Sequence, residues 1–99
     1  MRRKCYWTSI MASRRNGTLY VGVTNNLARR TWEHREGAIP EFTKKYGVKM
    51  LVYYEVFDDI RFAIRRETRL KFYRRRWKIR LIESMNPEWR DLYETLSIL

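Results

Sequence analysis

Ser13-Arg14-Arg15-Asn16-Gly17 stands between two runs suited to extended chain: Cys5–Ala12 (CYWTSIMA), rich in aromatic and β-branched residues, and Thr18–Thr24 (TLYVGVT), which alternates in character. An Asn-Gly pair accepts the positive backbone dihedrals of a tight turn, so the two runs are expected to form an antiparallel hairpin. In the second run the period of two places Tyr20 with Gly22 on one face and Val21 with Val23 on the other.

Asn25 and Asn26 can cap a helix running from Leu27 to about Glu36 and ending at Gly37. Along one side of it Leu27, Arg30, Thr31 and His34 recur at helical spacing, so a long arginine and a histidine share a stripe. Ala38-Ile39-Pro40 interrupts regular structure, and Glu41–Tyr46 (EFTKKY) reads as a short helical turn before Gly47. Met50–Phe57 (MLVYYEVF) is a third strand, apolar enough to be expected at the centre of a sheet or covered on both faces. Asp58 or Asp59 then caps a helix over Ile60–Tyr73, with Ile60, Ala63, Ile64, Glu67, Leu70 and Lys71 along one face. Trp77–Ser84 (WKIRLIES) is a further amphipathic segment, broken by Asn86-Pro87. A last helix from about Pro87 to Leu96 is expected to cover an open edge of the sheet.

The charge balance narrows the partners. With 22 Lys and Arg against 11 Asp and Glu, the 99-residue chain carries a formal +11, which favours a polyanion, and nucleic acid above all, because phosphate binding releases condensed counterions. A membrane is disfavoured, since no apolar stretch approaches a spanning length and the arginines are scattered through the elements. The length suits one domain over residues 1–99, and 44% apolar residues supply its core. Cys5 is the only cysteine, so an internal disulfide and a cysteine-based zinc site are excluded. The basic start is followed by a mixed strand in place of a signal-peptide apolar region, and a cytoplasmic location is expected.

Glu67 falls within an apolar stripe and must be paired or ligated, because a lone buried charge is costly. Either Lys71 or an arginine at helical spacing pairs with it, or it holds a hard divalent cation such as magnesium, which takes few protein carboxylates and completes its shell with water and phosphate oxygens. Arg30 and His34 are one turn apart: a solvated or packed basic face, or an arginine fork for the non-bridging oxygens of a phosphate with a histidine donor beside it. Tyr20 is either a half-buried strand tyrosine or a phenol that orients attacking water, and Gly22 would let a substrate backbone approach. Arg74-Arg75-Arg76 with Lys78 and Arg80 is either a solvated face or a phosphate-tracking surface.

Taken in order, Asn16 to Arg30 (NGTLYVGVTNNLARR), His34, Phe42-Thr43-Lys44-Lys45-Tyr46, Arg66-Glu67 and Asn86 to Leu92 (NPEWRDL) resemble the GIY-YIG nuclease superfamily, above all small stand-alone bacterial members similar to the amino-terminal nuclease domain of excinuclease C. The resemblance implies an α+β fold, a small three-stranded antiparallel sheet flanked by helices. It also implies hydrolysis of DNA phosphodiester bonds with a single divalent metal, Mg2+ or Mn2+. Tyr20-Val21-Gly22 then matches the second motif, Arg30 the active-site arginine and Glu67 the metal-ligating carboxylate, with His34 in support and Lys44, Lys45, Arg74, Arg75, Arg76 and Lys78 toward nucleic acid. The sequence departs in the first motif, where Ser9 occupies the tyrosine position; its hydroxyl is shorter and far less acidic, and Tyr6 lies on the opposite face.

Three functions are therefore in play: a metal-dependent endonuclease centred on Tyr20, Arg30 and Glu67; a nucleic-acid-binding module of the same fold whose cleavage is weakened by Ser9; and a protein-interaction module. A protein partner that directs targeting is compatible with each.

Overall fold

The computed structural model describes residues 4–38 and 44–98. Strands β1 (Tyr6–Ala12), β2 (Leu19–Thr24) and β3 (Met50–Phe57) form an antiparallel sheet in the order β2-β1-β3. Helices α1 (Leu27–Arg35), α2 (Ile60–Phe72) and α3 (Arg75–Met85) flank it, and a 3-10 helix covers Leu92–Ile98. Of the expected helical turn at Glu41–Tyr46, residues 41–43 lie outside the described residues, while Lys44 and Lys45 are helical and Tyr46 is in a turn.

The hairpin forms with Ser9 opposite Gly22 and Met11 opposite Tyr20. Its loop takes in the whole segment Ser13-Arg14-Arg15-Asn16-Gly17 between the two runs. Residues 13–18 are closed by Ser13 N donating to Thr18 O at 3.0 Å, Thr18 N to Ser13 Oγ at 2.9 Å and Gly17 N to Arg14 O at 2.9 Å. Asn16 takes the positive φ, +57°. Gly17 is required for room instead of for conformation: a Cβ there would stand 2.3 Å from Ser13 Oγ and 2.8 Å from Arg14 Cγ.

The central strand is β1, not β3. The apolar run of β3 has the other expected cause, cover on both faces. One cluster joins Ile10, Ala12, Val21 and Val52 to Leu70, Ile82 and Trp89; a second joins Met11 and Leu51 to Leu27, Val48 and Leu96. Ile10, Leu51, Leu70 and Ile82 are fully buried, each such side chain contributing about 1.5–3 kcal/mol.

Asn26 caps α1, its side chain accepting from Arg29 N, and Leu27, Thr31 and His34 form the buried side. Asp59 caps α2 through Arg61 N. The apolar stripe expected on α2 is narrower than its sequence suggests: Ala63 and Leu70 are buried, whereas Ile60 and Ile64 are 43% and 48% exposed. The setting of the helix follows from Arg66, whose guanidinium reaches β3 and donates to both oxygens of Glu55 at 3.0 Å.

In place of the expected helix from Pro87, a turn at Pro87-Glu88 and a positive φ at Trp89 (+55°) precede the 3-10 helix. The cause is Asn86: its Oδ1 accepts from Arg90 N at 3.0 Å and its Nδ2 donates to Arg90 O at 2.8 Å, folding the chain back locally. Cover of the edge strand is nevertheless achieved, by side chains. Asn86 Nδ2 also donates to Val52 O, and Asp91 Oδ1 accepts from Leu51 N, both at 3.2 Å.

Gly17→Ala is expected to lower stability by about 1–3 kcal/mol, the usual range for overpacking, read from urea unfolding midpoints. An unchanged midpoint would show that the loop opens around the methyl at no cost.

Candidate functional site

A small pocket of about 80 Å³ is lined by Ser9, Tyr20, Gly22, Val23, Arg30, His34 and Glu67. Five of these residues, Ser9, Tyr20, Arg30, His34 and Glu67, are the candidates singled out by sequence, brought together from β1, β2, α1 and α2. The hairpin register supplies the floor. The cap at Asn26 sets the start of α1, so that Arg30 and His34 fall on the side of the helix turned to the sheet.

Gly22 serves a purpose that its sequence position did not reveal. A Cβ on Gly22 would lie 3.2 Å from Tyr20 Cε1, so the missing side chain makes room for the Tyr20 ring. The same ring meets His34, with centroids 5.4 Å apart and planes tilted by 56°.

His34 is buried, and its Nδ1 has no hydrogen-bond partner among the described residues; Thr31 Oγ1, one turn earlier, is in the same position. Burial, with the Arg30 charge adding to it and Glu33 opposing, holds the imidazole down from 6.5 to about 4. It is therefore neutral near pH 7.

Arg30 Nε lies 3.6 Å from Glu33 Oε1, a loose pair with the arginine 41% exposed. Arg30 also borders a larger polar groove of about 440 Å³, together with Thr24, Asn25, Asn26, Arg29 and Glu33. Glu67 Oε1 is 3.1 Å from Lys71 Nζ, one helical turn away, so the pairing expected from helical spacing and the place in the pocket hold at once. Among the described residues no group of three or more His, Cys, Asp or Glu could hold a metal.

The basic residues divide. Lys44, Lys45, Arg74 and Arg76 are exposed, with Lys45 over the Tyr46 ring at 5.6 Å. Arg75 is exposed as well, but its Nη2 donates to Asn16 O and Gly17 O at 2.6 and 2.5 Å, tying α3 to the hairpin loop. Lys78 is half-buried, with its pKa lowered by burial and by the Arg75 charge.

Sequence reasoning missed the buttress behind Glu67. Tyr53 OH donates to Glu55 Oε2, and Glu55 receives the Arg66 fork, so the neighbour of Glu67 on α2 is fixed to β3. Burial and the adjacent carboxylate push the Tyr53 phenol up, and the Glu55 bond raises Arg66. The available signal was Glu55 itself, the lone charge within MLVYYEVF.

Residues 5–80 match the family model described as the GIY-YIG catalytic domain. A UPF0213 protein of Clostridium perfringens is 40% identical over 67 residues, covering 68% of this chain and 72% of that protein. One from Bacillus pumilus is 34% identical over 79 residues, 80% and 81% of the two chains. The solution NMR structure of the UPF0213 protein BH0048 from Bacillus halodurans superposes with a TM-score of 0.55 at 25% identity, over 88% of this chain and 92% of that one.

Because the folded pKa of His34 lies below that of the unfolded chain, its contribution is fully present above pH 6.5 and is lost as the pH falls toward about 4. Between pH 7 and pH 5 the wild type is expected to lose about 2 kcal/mol more stability in urea unfolding than His34→Gln does. Parallel losses in the two proteins would show that His34 titrates normally.

Proposed function

The chain belongs to the GIY-YIG family of catalytic domains, and on that premise we propose that it is a cytoplasmic endonuclease hydrolysing DNA phosphodiester bonds with one divalent metal, Mg2+ or Mn2+. The supporting observation is the convergence of Tyr20, Arg30, His34 and Glu67 on one pocket from three separate elements.

The donor set fits such a metal. One half-buried carboxylate beside a polar pocket suits a hard cation that keeps water and phosphate oxygens in its remaining positions, and Glu67 is the residue that would hold it. When bound, the metal supplies Lewis acidity at the phosphate. Lys71, 53% exposed on a flexible stem, can then leave the carboxylate for solvent or a phosphate.

The side chains divide the remaining work by chemistry. Arg30 presents a planar fork that can exchange its loose contact with Glu33 for two non-bridging oxygens and offset charge as the phosphate becomes five-coordinate. His34 acts as a neutral hydrogen-bond donor. Its buried, unpartnered Nδ1 is better left as an acceptor lone pair than as a stranded N–H, which places the proton on Nε2. The Tyr20 phenol, held over Gly22, orients the attacking water. Ser9 adds a hydroxyl at the floor of the pocket but cannot reach as a phenol would.

The buried position of Ser9, 5% exposed and within the pocket, also favours a second reading: a DNA-binding module of the same fold with weakened cleavage. Cleavage of labelled linear, branched and single-stranded DNA with Mg2+ or Mn2+ separates the two. For a nuclease, Glu67→Gln is expected to lower the rate by at least about a hundredfold while binding changes less than about threefold. Salt-sensitive binding without wild-type cleavage, restored by Ser9→Tyr, would establish the second reading. Cleavage unchanged in Glu67→Gln would remove Glu67 from the site.

A further inference from the structure

The most exposed large apolar side chain among the described residues is Phe72, at 84%, at the last position of α2. Five residues later, in the first turn of α3, Trp77 is 44% exposed. Two extended residues, Tyr73 and Arg74, make the elbow between the helices, and neither the Phe72 nor the Trp77 ring belongs to the core clusters. One exposed phenylalanine is ordinary, but Phe72, Tyr73 and Trp77 are all exposed about one elbow, the kind of apolar surface that marks an interaction site.

The surroundings identify the ligand's chemistry. Between Ile60 and Ile82 the sequence carries ten Lys and Arg residues, with Glu67 as the one acidic side chain. Arg76 and Arg80 bring their guanidinium carbons within 5.5 and 4.8 Å of the Trp77 ring centroid, and Arg65 lies 5.6 Å from that of Phe62. Aromatic residues and arginine also populate protein interfaces, but ten cations against one carboxylate favour a polyanion as the occupant. Here aromatic rings are interleaved with guanidinium groups, which suits a ligand that has both flat apolar faces and negative charge at short intervals. A nucleic-acid strand with unpaired bases meets both demands; a duplex offers only its phosphates, because its base faces are already stacked.

The elbow is also joined to the pocket. Lys71, the ion-pair partner of Glu67, contributes its carbonyl to Lys78 Nζ at 3.5 Å, so the helix ends bearing Phe72 and Trp77 are coupled to the helix turn bearing Glu67.

We infer that the α2–α3 elbow is a stacking site for unpaired bases of the DNA strand being cut, with Phe72 and Trp77 as platforms and Arg74, Arg76 and Arg80 on the flanking phosphates. This rests on the nuclease reading for its choice of DNA, but the site itself is a binding surface and can be measured without cleavage.

The test uses the full chain in EDTA, so that no cleavage takes place, and compares an unstructured 20-mer of thymidine, the matching uridine 20-mer and a duplex of the same length by fluorescence anisotropy. Phe72→Ala and Trp77→Ala are each expected to weaken thymidine 20-mer binding by at least about fivefold, the loss of a stacked base, while duplex binding changes less than twofold. Both side chains are substantially exposed, and circular dichroism with thermal unfolding confirms that the variants fold. Tighter binding of the uridine strand with the same aromatic dependence would keep the stacking site and assign it to RNA. Equal weakening on duplex and single strand, or no weakening on either, would overturn the proposal and leave a charged face only. Concentration-dependent dimerisation lost in Phe72→Ala, without strand binding, would overturn it in favour of self-association. Loss of cleavage in Glu67→Gln with elbow binding intact, or the reverse, tells the two assignments apart.

Discussion

Because a one-residue slip in an antiparallel pair sends every side chain to the opposite face, the hydrogen bonds that close loop 13–18 control far more than a turn. They put Ser9 opposite Gly22, and with that register Tyr20 lies over the one residue that leaves it space. Arg75 reinforces the loop from outside by binding two of its carbonyls, so α3 is committed to the geometry of a hairpin remote from it in sequence. Slippage would remove the tyrosine from the pocket, however well the helices packed.

In a chain so rich in cations, the few carboxylates act as the ordering elements. Glu55 fixes α2 through Arg66, Glu33 meets Arg29 and Arg30 on α1, Glu67 faces the pocket, and Asp91 joins the end of α1 to β3. The arginines left over are mostly at the surface, where their mutual repulsion is screened by salt and relieved by a polyanion. The same scarcity of acidic groups thus accounts for both the internal order and the electrostatic character of the exterior.

The hairpin, the Asn26 cap and the helical spacing of Arg30 and His34 are legible in the sequence because they follow from local rules of turn and helix chemistry. So is the oddity of Glu67 in an apolar stripe. The central position of β1 is not, since both β1 and β3 are apolar and only packing from two sides decides strand order. The end of the chain reads as a helix from Pro87, but only a 3-10 helix from Leu92 forms, because Asn86 engages Val52, 34 residues away, along with Arg90, and no periodicity reports a bond of that reach. Gly17 stands out in the sequence for backbone freedom, yet steric room for Ser13 is what the structure requires.

Asp91 accepts hydrogen bonds from Leu51 N and Tyr93 N and is paired with Arg35, which is itself stacked on Tyr93 at 4.8 Å. An edge strand with free backbone donors is a template onto which another extended chain can add. By satisfying the Leu51 amide with a carboxylate, the protein makes strand addition there compete against a charged group already in place. The segment that locks the helix of Arg30 and His34 to the sheet is thus also a guard against templated aggregation.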